Sequence, residues 1–117
     1  MRGEELANRI LDFAVRIVKL CNYLEKDSSV KYIRNQLIRS GTSVGANYEE
    51  ARGAESDADF IHKLSIALKE IRETIYWLEL IRRSEILPEK RINDLATEAG
   101  EICAILITSI KTVKSKK

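Results

Sequence analysis

A chain of 117 residues has the length of one domain. With 44% hydrophobic and 32% charged residues it holds enough apolar material for a core, which excludes a disordered tail, and 5 Gly with 1 Pro are too few turn residues for a β-sandwich, a collagen-like chain or a proline-rich linker. The 20 basic and 18 acidic residues leave a net charge of +2, so nucleic acid is not gripped by bulk charge, and one His with two Cys removes most metal sites.

The spacing predicts four helices. The first spans about 4–25: Leu6, Ile10, Phe13, Ile17, Leu20 and Leu24 recur at steps of 4 and 3, a heptad seam, and Ala7, Leu11, Ala14, Val18 and Cys21 form a second seam beside it. That is a wider apolar arc than the roughly 100° a surface helix needs. Lys26, Asp27, Ser28 and Ser29 read as a turn. The second helix covers about 30–52 through Ile33, Leu37, Val44, Tyr48 and Ala51. Its middle, Ser40-Gly-Thr-Ser-Val-Gly-Ala-Asn47, places two glycines four apart, at a cost of roughly 1 kcal/mol each relative to alanine. Close approach of another backbone at Gly41 and Gly45 offsets that cost; the alternative is a kink or a break into two short helices.

Gly53 is placed as a C-cap and Ser56 as the N-cap of the third helix, with Asp57 and Asp59 complementing its positive end. That helix spans about 57–83, with Phe60, Leu64, Ala67, Ile71, Thr74, Leu78 and Ile81 repeating at 4 and 3. Pro88 takes the first position of the fourth helix, whose inner face is Ile92, Leu95, Ala99, Ile102, Leu106, Ile110 and Val113. The outer stripe of that helix starts polar at Asp94, Glu98 and Glu101 and turns apolar at Ile105. Four such helices with short connections give an all-α, antiparallel up-down-up-down bundle occupying 1–117 as one domain, with Phe13, Ile17, Leu37, Leu64, Ile71, Leu78 and Leu106 in its core and a short basic tail, Lys111, Lys114, Lys116 and Lys117. The uncharged apolar stretch 102–110 is far short of the roughly 20 residues of a membrane span. The N-terminus carries acids where a signal peptide carries an apolar run. A cytoplasmic location without membrane contact is expected, with Cys21 and Cys103 as buried reduced thiols.

Chemistry is sparse. A di-iron bundle needs two Glu-x-x-His pairs, and the single His lies in Asp59-Phe-Ile-His62. Ser40-Gly-Thr-Ser-Val-Gly45 lacks the lysine and the preceding strand of a phosphate loop, and there is no Cys-x-x-Cys. The expectation is therefore no catalytic residue, no metal, no cofactor and no small-molecule substrate. Ser43, Asn47 and Glu50 beside the glycine pair read as a polar network fixing helix register, or else as a contact site for RNA or a partner. On the third helix His62, Ser65, Lys69, Arg72, Tyr76 and Arg83 lie at 3- and 4-residue steps, with Glu79 interrupting before Arg83. Cations interleaved with an aromatic suit phosphate contact and stacking; the alternative is a solvated face with pairs such as Lys69–Glu73. The tail lysines Lys111 and Lys114 offer further phosphate contacts. The spare apolar surface at Val15 and Ile105 on the first and last helices predicts self-association.

Gln36-Leu-Ile-Arg-Ser-Gly-Thr-Ser-Val-Gly-Ala-Asn-Tyr-Glu-Glu-Ala51 followed by Asp59-Phe-Ile-His-Lys-Leu-Ser-Ile-Ala-Leu-Lys-Glu70 resembles the four-helix bundle proteins of the 23S rRNA intervening-sequence family, whose genes are found within bacterial large-subunit rRNA genes. That family is similar to the accessory variability-determinant protein of diversity-generating retroelements, a five-membered ring that binds nucleic acid and a reverse transcriptase. The resemblance implies the bundle and a homopentamer, and carries over no catalytic residue. Two functions follow: a non-enzymatic oligomeric scaffold contacting structured RNA or an RNA–protein complex through its basic face, or a protein–protein interaction module with no nucleic-acid role.

Overall fold

The computed structural model describes residues 3–24 and 28–116. Four helices account for nearly all of them: α1 (Glu4–Asn22), α2 (Lys31–Arg52), α3 (Asp57–Arg83) and α4 (Glu89–Ser115), and no strand occurs among the described residues. The expected last turn of the first helix at Glu25, and Lys26 and Asp27 of the expected turn, lie outside the described residues. Each helix packs on its neighbours in a ring, α1 on α2, α2 on α3, α3 on α4 and α4 back on α1, and the α1/α4 seam is the thinnest. Cross-helix contacts run antiparallel: Ile10 meets Gly45 and Ile17 meets Gly41, Ser40 meets Thr74, and Arg9 meets Glu98. This is the up-down-up-down bundle, 48 × 20 × 19 Å.

The heptad stripes are the core. Ile10, Phe13, Ile17, Leu37, Val44, Leu64, Ile71, Leu78, Ile102 and Leu106 are all essentially solvent-free. Ser56 caps α3 as its sequence position requires, accepting a hydrogen bond from the Asp59 amide at 3.0 Å. Two local expectations change, at Pro88 and at the basic tail. Pro88 is the residue before α4, not its first helical residue, with an extended ψ of 141°. Gly53 is the C-cap of α2 as expected, at φ −93°. The basic tail is the end of a helix: Lys111 and Lys114 lie within α4, Lys116 caps it, and Lys117 lies outside the described residues. Cys21 is buried, whereas Cys103 is only half-buried; both are free thiols.

The glycine run of α2 is continuous helix, so neither a kink nor a break occurs. What approaches it is side chain rather than backbone. A Cβ at Gly41 would lie 2.8 Å from Ile17 Cγ2, and one at Gly45 would lie 3.2 Å from Ile10 Cγ2. These are β-branched carbons close to the α1 backbone, with little freedom to retreat. On the adjacent side of α2, Ser40 is fully buried against Thr74 of α3. Thr74 donates to Ser40 Oγ at 3.1 Å or to its own helix at the Glu70 carbonyl, 2.8 Å away, one proton serving one acceptor at a time. Gly3, at the N-terminus of α1, holds φ +83°, and a Cβ there would meet the Tyr48 hydroxyl at 2.6 Å.

The α1/α4 seam is closed by charge. Arg9 donates from Nε and Nη2 to the two carboxylate oxygens of Glu98, both at 2.7 Å, and from Nη2 to Glu101 at 2.7 Å. The Arg9 hydrogen bonds hold the Glu98 carboxyl below its ordinary 4.5. Ile105, on the α1-facing side of α4 by its spacing from Glu98 and Glu101, is half-buried, not exposed.

Two measurements check this packing. Gly41→Ala and Gly45→Leu should each lower stability by about 1–3 kcal/mol through overpacking, read as a drop in chemical-denaturation midpoint. By contrast Gly100→Ala, where nothing lies within 4 Å of an added Cβ, should raise stability by up to about 1 kcal/mol. Because the Glu98 pKa is depressed on folding, its ion pair stabilises fully above its unfolded pKa near 4.5 and the contribution disappears as pH falls through the lower folded value. Glu98→Gln should therefore lower Tm at pH 7, and the gap to wild type should close on acidification below pH 4.5; a gap independent of pH would contradict the ion-pair account.

Candidate nucleic-acid interface

The residues singled out on α3 share its outward side. Lys69, Arg72 and Tyr76 are exposed and follow one another at 3- and 4-residue steps, and Arg83 continues the line after Glu79. At 1.5 Å per residue the stripe from His62 to Arg83 is about 30 Å long. Since α4 runs antiparallel to α3, Lys111 and Lys114 lie at the end where α3 begins, one terminus of the bundle away from Arg83. The stripe and the α4 lysines thus sit on adjacent helices without forming one cluster.

Ion pairing sorts the cations. Arg83 donates Nε to Glu79 at 2.7 Å, Arg82 shares the same carboxylate, and these two guanidiniums hold Glu79 at about 2. Arg39 of α2 binds Glu70 at 3.1 Å and Glu73, and Lys63 binds Glu50 at 2.8 Å. Among the described residues Lys69 and Arg72 make no ion pair. The anticipated Lys69–Glu73 pair does not form, because Glu73 turns to Arg39 and to the Trp77 indole N–H, 3.0 Å from Oε2; Lys69 is felt by that carboxyl only through space. The Trp77 hydrogen bond, followed by that from Arg39, keeps the Glu73 carboxyl below its ordinary value.

Trp77 has two aromatic neighbours. Tyr32, on the first turn of α2, lies 6.1 Å from it between ring centroids at 80°, and Tyr76 lies 5.0 Å away at 79°. Both tyrosines are mostly exposed, 66% and 60%. Neither Tyr32 nor Trp77 was singled out in the sequence. The signal existed, since Tyr76-Trp77 is an aromatic pair on an otherwise aliphatic helix, but the partner on α2 is visible only once the α2/α3 register is known.

The polar set on α2 is not the buried network its spacing predicts. Ser43 donates to its own helix at the Arg39 carbonyl (2.6 Å), Asn47 donates to the Ser43 carbonyl (2.8 Å), and Glu50 is exposed and paired with Lys63. Each bond to Ser43 or Asn47 is i to i−4, so it fixes no register between helices. Register is fixed three residues before Ser43, by Ser40 and Thr74. Of the predicted interface residues, Val15 is 45% exposed, in line with Leu11 (60%) and Val18 (39%) on the side of α1 away from the core.

A cavity of about 860 Å³ opens at the bundle end where α1 and α3 begin, between Leu6, Tyr48, Phe60, Ser109 and Val113. No cluster of three or more metal-ligating side chains occurs among the described residues, and no described helix is long and apolar enough to cross a membrane.

The comparisons agree with this architecture. No curated protein matches the sequence. The chain is similar to a crystal structure of a protein of unknown function from the S23 ribosomal protein family of Bacteroides thetaiotaomicron VPI-5482: 46% of residues are identical over 90% of this chain and 97% of that one, with a TM-score of 0.85. The family model of the 23S rRNA-intervening sequence proteins matches residues 4–108, nearly the whole of all four helices, and the chain belongs to that family.

Proposed function

We propose that the protein is a non-enzymatic, cytoplasmic, oligomeric scaffold that contacts structured RNA, alone or within an RNA–protein complex, through the outward side of α3. One observation carries the reading. Lys69 and Arg72 are exposed without a carboxylate partner among the described residues, while Arg9, Arg39, Lys63, Arg82 and Arg83 are all engaged. A cation already paired must break its pair to take a phosphate, whereas an unpaired one gives up only water and counterions. The engaged cations explain how a chain of net charge +2 presents a locally positive face.

Self-association is the second half of the proposal. Leu11, Val15 and Val18 recur at steps of 4 and 3 on solvent-facing α1, a stripe that a second copy would remove from water. Closed cyclic symmetry suits a contact of this kind, and five subunits is the order that the family resemblance implies.

Two experiments test these halves separately. Lys69→Glu with Arg72→Glu should abolish RNA binding measured at low salt, and wild-type affinity should fall steeply as salt rises. Binding that is insensitive to salt and to the double reversal would favour a protein-binding module instead. Val15→Glu, alone or with Ile105→Glu, should reduce the particle mass found by light scattering while the helical circular-dichroism signal persists. A wild-type chain that runs as a 13.4 kDa monomer at micromolar concentration would refute self-association.

A further inference from the structure

The aromatic trio Tyr32–Trp77–Tyr76 is left unexplained by phosphate contact alone. Two large rings more than half exposed at one seam are costly unless something covers them. They do not cover each other: both stand nearly perpendicular to Trp77, so neither tyrosine face is consumed by parallel stacking. Trp77 between them is fixed by its indole hydrogen bond to Glu73, and Glu73 is itself held by Arg39 across the α2/α3 seam. The platform is rigid at its centre and open at both sides.

Resting on the RNA reading above, we propose that this trio is a stacking platform for unpaired bases, so that the RNA recognised is single-stranded at this point and not duplex. The charge around it favours nucleic acid over a protein partner. Arg72 and Lys69 precede Tyr76 by one and two helical turns on the same side of α3, about 6 and 10.5 Å along the axis. The acids within four residues of Tyr76 and Trp77 on α3, Glu73 and Glu79, are each neutralised by arginines, which leaves Lys69 and Arg72 as unpaired cations on that helix beside the rings. A strand whose backbone follows Lys69 and Arg72 brings a base within reach of Tyr76. The next base lies toward Trp77 and Tyr32. Duplex RNA offers no exposed base faces to such rings, whereas loops and single strands do.

Trp77 is the one tryptophan of the chain, so its fluorescence reports on this site directly. The test titrates the protein with a 12-nucleotide oligouridylate and with the 12-base-pair oligoadenylate–oligouridylate duplex at the same salt. The expected result is quenching of Trp77 by the single strand and tighter binding of it than of the duplex, although the duplex carries the denser charge. Tyr76→Ala and Tyr32→Ala should each weaken single-strand binding about tenfold and leave the salt dependence unchanged; Tyr76→Phe should restore it, and Lys69→Ala should instead flatten the salt slope. Binding of both RNAs alike, with the alanine variants neutral, overturns the platform while the RNA-scaffold reading stands. Failure of wild type to bind either RNA overturns both.

Discussion

Ser40 and Gly41 set how closely the bundle can close. They are adjacent on α2, both buried, and they face different neighbours: Gly41 receives Ile17 of α1, and Ser40 meets Thr74 of α3. Small residues on both flanks let one helix approach two others at once. The cost is a weaker intrinsic helix, since glycine and serine are poor helix formers, and it is offset by the packing of Ile10 and Ile17 into the space the missing side chains leave. The composition that makes residues 40–47 look like a loop is therefore a packing requirement. It also explains why the most distinctive run in the sequence contains no chemistry: its hydroxyls and amide are spent on their own helix or on Thr74.

The fold was legible because it rests on periodicity. A stripe at steps of 4 and 3 tells which side of each helix is buried, and the four stripes recover the core almost residue for residue. The extent of α3 was equally readable, since Ser56 supplies a cap and Arg82 and Arg83 close the far end. Cross-helix partners were not legible, because periodicity fixes the face of a helix and says nothing of the axial register between two helices. Ser40–Thr74, Arg9–Glu98, Arg39–Glu73 and Tyr32–Trp77 all join residues whose pairing depends on that register. For the same reason Lys69–Glu73, a sound pair by helical spacing, loses to Arg39, which reaches the carboxylate from the next helix.

Register also decides the electrostatics. Two charges four apart on one exposed helix interact weakly, by a few tenths of a kcal/mol. A guanidinium from a neighbouring helix that engages two carboxylates, as Arg39 does with Glu70 and Glu73, outcompetes them through geometry. Net charge thus says little about where this surface is positive. The pattern of engaged arginines, which only the packed structure reveals, leaves Lys69 and Arg72 as the free cations of α3.

The ring order of the helices gives the two proposed surfaces their relation. α1 packs on α2 and α4, and so does α3, so α1 and α3 stand diagonally opposed, with no close approach of their backbones. A stripe on the outward side of α1 and a basic, aromatic stripe on the outward side of α3 therefore face away from each other. Burial of Leu11, Val15 and Val18 against further copies would leave every Lys69, Arg72 and Tyr76 uncovered on the outer wall. Repetition would then change the energetics of the proposed contact: a single face with two unpaired cations and three rings would bind weakly, but several copies on one wall would engage one RNA at a high effective concentration, and affinity would rise without any added contact. A bundle with this helix order would keep the proposed subunit contact apart from the proposed RNA contact, and the second would gain its strength from the first.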